Sequence, residues 1–216
     1  HQLGIPEPDI DLGVGSGSHA VQTAEIMRRF EPVLDELYPD VVLVVGDVNS
    51  TIACALVAVK KAIPVVHVEA GLRSGDRGMP EEINRVLTDQ ISDLLFTTEA
   101  DAAENLAREG IAADKVHFVG NVMIDTLLAN RARAIPAADT LATFGGLAGA
   151  DGNFGIVTLH RPSNVDDPVV LRRLLSVLRE ISETTPLVFP VHPRTRARID
   201  ADPTCGRLLE AGRFAR

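Results

Sequence analysis

The sequence predicts an α/β fold built on a doubly wound parallel sheet, and three observations carry that expectation. Short apolar runs alternate with helical patterns four times between residues 18 and 119, the signature of strand–helix–strand units. The first run, Asp40-Val41-Val42-Leu43-Val44-Val45, is an almost unbroken β-branched stretch, as expected of a strand covered on both faces. Glycine or polar residues then follow each run, at what would be the carboxyl tips of parallel strands, where such sheets bind ligands.

Taken in order, residues 18–37 read as a helix. Ala20, Val21, Ala24, Met27, Val33, Leu34 and Leu37 recur at three- and four-residue spacing. Ser18 is suited to cap this helix, and Pro32 is expected to kink or break it. Residues 40–45 form the first strand and 46–51 turn the chain. Asn49 or Ser50 is suited to capping the helix over 52–61. A strand at 65–68 leads through a glycine-rich loop to a helix from 80 to about 92. A strand at 94–97, a helix at 101–109 and a strand at 116–119 complete the first domain, 1–133.

The alanine- and glycine-rich residues 134–152 read as a linker helix plus loop, before a second domain at 153–216. That domain shows a strand at 154–159, an amphipathic helix at 169–182 and a strand at 187–191. Two strands are marginal for an independent α/β domain. Residues 1–17 lack the strand on which such a sheet normally opens, so the chain is expected to be the middle of something longer.

Composition narrows the functional classes. With 45% hydrophobic and 24% charged residues the chain is globular rather than disordered. A net charge of -9 argues against a nucleic-acid or anionic-membrane partner, while a local arginine cluster still suits an anionic small molecule. Cys54 and Cys205 lie far apart and form no metal or redox pattern; Cys54, inside an apolar helix, reads as a buried small residue. No apolar run reaches the roughly 20 residues of a membrane span and no signal peptide is recognisable, so the expected location is cytoplasmic. Gly13-Val-Gly-Ser-Gly-Ser18 approaches a dinucleotide fingerprint, but Ser18 stands at its sixth position and no acidic residue closes a following strand. It reads as a flexible turn, and neither NAD nor any other cofactor is expected.

The densest chemistry lies in residues 67–85, His-Val-Glu-Ala-Gly-Leu-Arg-Ser-Gly-Asp-Arg-Gly-Met-Pro-Glu-Glu-Ile-Asn-Arg. Glu69 and the Glu81/Glu82 pair, with Arg73 and Arg85, bracket one loop at a strand tip. Acids able to move protons, beside cations able to hold an anion, predict proton chemistry on a charged substrate. Asp47 lies at the tip of the first strand, in a segment whose polar residues equally suit helix capping. His67 reads as a satisfied strand-end histidine. His160-Arg161 and His192-Pro193-Arg194 end two successive strands of the second domain, and together predict a cationic wall facing a cleft.

Val-Gly-Asp-Val-Asn-Ser-Thr (45–51), His-Val-Glu-Ala-Gly-Leu-Arg-Ser-Gly-Asp (67–76), Pro-Glu-Glu-Ile-Asn-Arg (80–85) and Leu-His-Arg-Pro-Ser-Asn-Val-Asp (159–166) resemble the non-hydrolysing UDP-N-acetylglucosamine 2-epimerases. Order and spacing agree over nearly the whole chain. Ser163 departs from the glutamate usual in the family's His-Arg-x-Glu-Asn motif. The family's opening strand with its Gly-Thr-Arg-Pro-Glu motif, and the segment that grips the uridine diphosphate, are absent. The resemblance implies two Rossmann-like domains facing a cleft, the glycosyltransferase-B architecture, here incomplete and with apolar sheet edges exposed or covered by a partner chain. It implies a homodimer, a UDP-sugar substrate and no cofactor or metal.

The implied reaction eliminates UDP to give 2-acetamidoglucal and re-adds it after protonation at C2 on the other face. Asp47, Glu69 and Glu81 match the family's acidic residues and His160 its histidine. Which carboxylate removes the proton and which returns it stays open. Arg73, Arg85, Arg161 and His192 are the candidate substrate-binding groups. Two alternatives stand beside this reading. A glycosyltransferase of the same fold needs only one acid or base and leaves the Glu69/Glu81 loop unexplained, and a sugar-nucleotide-binding module has no turnover.

Overall fold

In the computed structural model, residues 5–143 and 153–215 are described; most of the expected linker loop, 144–152, lies outside them. The chain divides into two units, His1–Arg131 and Ala132–Arg216.

The first unit runs α1 (His19–Leu37), β1 (Val42–Val45), α2 (Asn49–Lys60), β2 (Val65–Ala70), α3 (Pro80–Ile91), β3 (Leu94–Thr97), α4 (Ala102–Arg108), β4 (Val116–Phe118) and α5 (Val122–Arg131). Ser18 caps α1, its hydroxyl accepting from the Val21 N–H. Pro32 does not break α1: Leu34 is buried and packs with Met27 and Phe30 into the core, and that packing outweighs one missing backbone donor. The second helix starts at Asn49, earlier than expected, with Val48 at its cap position and no side-chain capping bond. Asn49 instead donates to the Gln22 side chain at 2.7 Å.

All four strands pair in parallel in the order β1-β2-β3-β4. Strand order therefore runs one way among the described strands, without the reversal that defines double winding. Right-handed crossovers place the connecting helices of such a sheet on one face. Val42 and Val44 are accordingly buried with Val65, whereas Leu43 and Val45 on the opposite face are exposed. The expectation that β1 is covered on both faces thus fails. Among the described residues its unbroken apolar run has one covered face, and β1 stands at the edge of the four described strands.

The second unit contains α6 (Ala137–Thr143), β5 (Gly155–Ile156), α7 (Pro162–Val165), α8 (Pro168–Thr184), β6 (Leu187–Val188), α9 (Pro193–Asp200), α10 (Pro203–Glu210) and β7 (Phe214–Ala215). Among the described residues its parallel sheet has three strands, β5-β6-β7; the short β7 is not expected from the sequence. The ladders are shorter than the apolar runs, although Val157 N–H still donates to Val188 O and Phe189 N–H to Ala215 O. Pro190 has no N–H with which to continue. Phe189, Leu171, Leu175, Leu209 and Val165 fill the core, each such burial contributing about 1.5–3 kcal/mol.

Candidate active site

Two of the candidate carboxylates stand at the tips of adjacent parallel strands. Gly46 ends β1 at φ 72°; its N–H donates to Val68 O at 3.0 Å and its carbonyl lies 2.8 Å from His67 Nε2. Asp47 follows. Its Oδ2 lies 2.5 Å from Arg85 Nη2, and its backbone oxygen accepts from the Asn84 side chain at 2.9 Å. Arg85 and Asn84 reach it from α3.

Glu69 occupies a break in the register of β2 against β3, between Val68 and Ala70. Its φ of 73° is a conformation L-residues rarely adopt, of the kind that persists where surrounding structure enforces it and that clusters at functional sites. A Cβ placed on Gly46 would lie 3.4 Å from Glu69 Oε2, so the Glu69 carboxylate reaches over the start of the Asp47 turn. Gly46 is favoured there for its φ of 72°.

Glu81 and Glu82 share the first turn of α3 with opposite fates. Glu82 is buried and accepts from Ser74 N–H, the Ser74 hydroxyl and Gly75 N–H, at 2.9, 3.0 and 2.9 Å. It also lies 3.3 Å from Arg85 Nη1. Burial pushes its pKa up, but the backbone hydrogen bonds, the Ser74 hydroxyl and the Arg85 charge outweigh that and hold it below the usual carboxylate value. The Glu81 side chain makes no hydrogen bond or ion pair among the described residues and lines a hollow of about 200 Å³ with His19, Gln22, Asn49 and Asn84.

The arginines are placed differently from one another. Arg85 bridges Asp47 and Glu82, with its Nε buried and unpartnered among the described residues. Arg73 is engaged by Glu109 through two bonds of 2.7 and 2.6 Å and by Asp89 at 2.7 Å. Burial works against the Arg73 charge, yet these two carboxylates raise its pKa. As placed, its guanidinium holds the loop to α4's C-terminal end rather than offering a free cation.

In the second unit, His160 and His192 are exposed and their ring centroids lie 5.8 Å apart. His192 caps α9, its Nδ1 accepting from the Arg194 N–H at 3.1 Å. Arg161 precedes α7, exposed and without an ion pair among the described residues. Arg194 and Arg198 both bind Asp166, so Arg194 does not extend a cationic wall. Asn84 and Asp89 join the site without having been expected from the sequence. Their signal was helical spacing: Glu81, Asn84 and Arg85 fall on one side of α3, and Asp89 lies one turn beyond Arg85.

A family model described as UDP-N-acetylglucosamine 2-epimerase matches residues 1–211. The chain belongs to the UDP-N-acetylglucosamine 2-epimerase family. The UDP-N-acetylglucosamine 2-epimerase of Methanocaldococcus jannaschii is 44% identical over 200 residues, covering 92% of this chain and 54% of that protein. The UDP-2,3-diacetamido-2,3-dideoxy-D-glucuronate 2-epimerase of Pseudomonas aeruginosa is 46% identical over 202 residues, covering 92% and 55%. The chain thus spans about half the length of the curated relatives it matches. Among solved structures, the Methanocaldococcus jannaschii epimerase in complex with UDP-GlcNAc and UDP gives a TM-score of 0.83 at 40% identity, over 99% of this chain and 59% of that one. The α/β class with parallel sheets, expected from the strand–helix alternation, agrees with that structure. No described helix is long and apolar enough to cross a membrane.

Proposed function

We propose that the protein carrying this chain is an isomerase that interconverts UDP-N-acetylglucosamine and UDP-N-acetylmannosamine, by eliminating UDP to 2-acetamidoglucal and re-adding it. The observation that carries this reading is the pair of carboxylates, Asp47 and Glu69, at neighbouring strand tips, with Glu69 in an enforced left-handed conformation. The C2 hydrogen of the sugar is not next to a carbonyl. Departure of the anomeric diphosphate builds positive charge at C1 and acidifies C2–H, so removal and return of that proton need carboxylates close by. Asp47, Glu69 and Glu81 supply them. His160, as a hydrogen-bond donor or cation, steadies the departing diphosphate, with Arg161 and His192 as further contacts to it. Arg85 holds Asp47 in place.

This route consumes no redox equivalent, so turnover should need no added nicotinamide or metal. The same reading carries a cytoplasmic location and a homodimer, the latter checked by light scattering. Turnover in deuterated water tests the chemistry: epimerisation with deuterium entering at C2 is expected, and epimerisation without it would sink the elimination route. A glycosyltransferase or a binding module incorporates none.

The Pseudomonas aeruginosa relative, at 46% identity, supports a second reading in which the sugar is a 2,3-diacetamido-2,3-dideoxyglucuronate. Its C2 chemistry is the same. Comparing kcat/KM for the two UDP-sugars decides which the protein takes.

A further inference from the structure

A buried polar chain runs beneath the two strand-tip carboxylates, and none of the steps proposed above uses it. His67 on β2 is fully buried, with Nδ1 2.6 Å from Asp89 Oδ1 and Nε2 2.8 Å from the Gly46 carbonyl. Asp89, buried in turn, accepts on Oδ2 from the Gly71 N–H at 3.1 Å and lies 2.7 Å from Arg73 Nη2. A carbonyl has no proton to give. Nε2 of His67 must therefore donate to the Gly46 carbonyl.

These bonds fall on both sides of the candidate carboxylates. The Gly46 peptide, immediately before Asp47, is pinned at its N–H by Val68 and at its carbonyl by His67. Gly71, two residues after Glu69, is held through its N–H by Asp89. Between them, Gly46 and Glu69 keep positive φ values of 72° and 73°, which backbone left to itself would relax away from at the glutamate. One dyad thus ties the tip of β1 to the tip of β2 at the points that set where Asp47 and Glu69 aim.

We infer that His67 and Asp89 are positioning residues for the C2 proton transfer, fixing Asp47 and Glu69 relative to each other without touching substrate. The inference rests on the epimerase reading. In the full-length protein, His67→Gln and Asp89→Asn should each lower kcat about 10- to 100-fold, the usual consequence of displacing a reacting group by an ångström. KM should move less than about threefold, because substrate binding is not what is lost. The double variant should fall little below the worse single one, since both act through one chain of bonds.

A folded variant with wild-type kcat overturns the inference and leaves the epimerase reading standing. So does a loss that appears in KM alone. A wild-type protein that epimerises neither UDP-sugar overturns both. Nitrogen NMR of labelled histidine in the wild-type protein reads the dyad even if neither variant folds: a protonated Nε2 at His67, hydrogen-bonded to the Gly46 carbonyl, is expected, and a bare Nε2 refutes the arrangement.

Discussion

Glu82→Gln is the substitution whose consequences the structure fixes most closely. It keeps shape and volume but leaves one accepting oxygen where two served Ser74 and Gly75. One of the two loop N–H groups then faces an amide donor. An orphaned buried donor costs about 1–3 kcal/mol, and exchanging a charged acceptor for a neutral one costs about another 0.5–1.5. Ser74 and Gly75 are both exposed, so water takes over part of either loss, and a net local cost of about 1–2 kcal/mol remains. At 1.36 kcal/mol per factor of ten, amide hydrogen exchange at Ser74 and Gly75 should accelerate about 5- to 30-fold. The effect should also depend on pH in one direction. The folded-state pKa of Glu82 is lowered from 4.5, so its stabilisation is complete above that value and is lost as pH falls through the folded pKa. The difference between wild type and Glu82→Gln should therefore be largest near neutrality and shrink in acid. Exchange accelerated less than about twofold, or a difference that does not change with pH, would refute the assignment of Glu82 to holding the loop.

Asp47→Asn and Glu69→Gln should each lower kcat about 100-fold or more, the usual size of a lost acid–base group, with much smaller changes in KM; near wild-type kcat in both would return these residues to a structural role. Gly71→Ala should lower the melting temperature, because its Cβ would lie 2.8 Å from the Cβ and carbonyl oxygen of Ala102 at a φ of 80°. A cost of about 2–4 kcal/mol follows, and an unchanged melt would show that α4 gives way. Burial pushes the Cys54 thiol up to about 11, so it should alkylate slowly near neutral pH and faster as pH rises. Rapid labelling of Cys54 near neutrality would contradict that burial.

Local signals made most of the fold legible. In the first unit α1 announced itself by three- and four-residue spacing and each strand by an apolar run ahead of a glycine or polar tip, whereas α5 over Val122–Arg131 was not anticipated. What escaped was non-local. Leu43 and Val45 are as apolar as Val42 and Val44, yet they are exposed, because strand order leaves the helices on the other face. No property of the run itself reports its neighbours' order. Pro32 was read from its own chemistry, and packing around Leu34 overrode it. Phe214–Ala215 is too short to show an alternation and became a strand only by pairing with Leu187–Val188.

The site divides along the same line. Asp47, Glu69 and the α3 segment were legible because acids and cations crowded one loop, but residue type alone does not separate working from holding groups. Arg73 and Arg85 looked equivalent in sequence. In the structure Glu109 and Asp89 occupy the first, while the second binds the candidate carboxylate Asp47. Glu81 and Glu82 are the sharper case, being adjacent and chemically alike. Successive helical residues are about 100° apart, so one step along α3 turns a carboxylate from the loop amides of Ser74 and Gly75 toward the hollow that Glu81 lines. An extra residue between Glu82 and Asn84 would rotate both carboxylates by about 100° relative to the packed remainder of α3, so the phase within the helix decides which acid faces the loop amides.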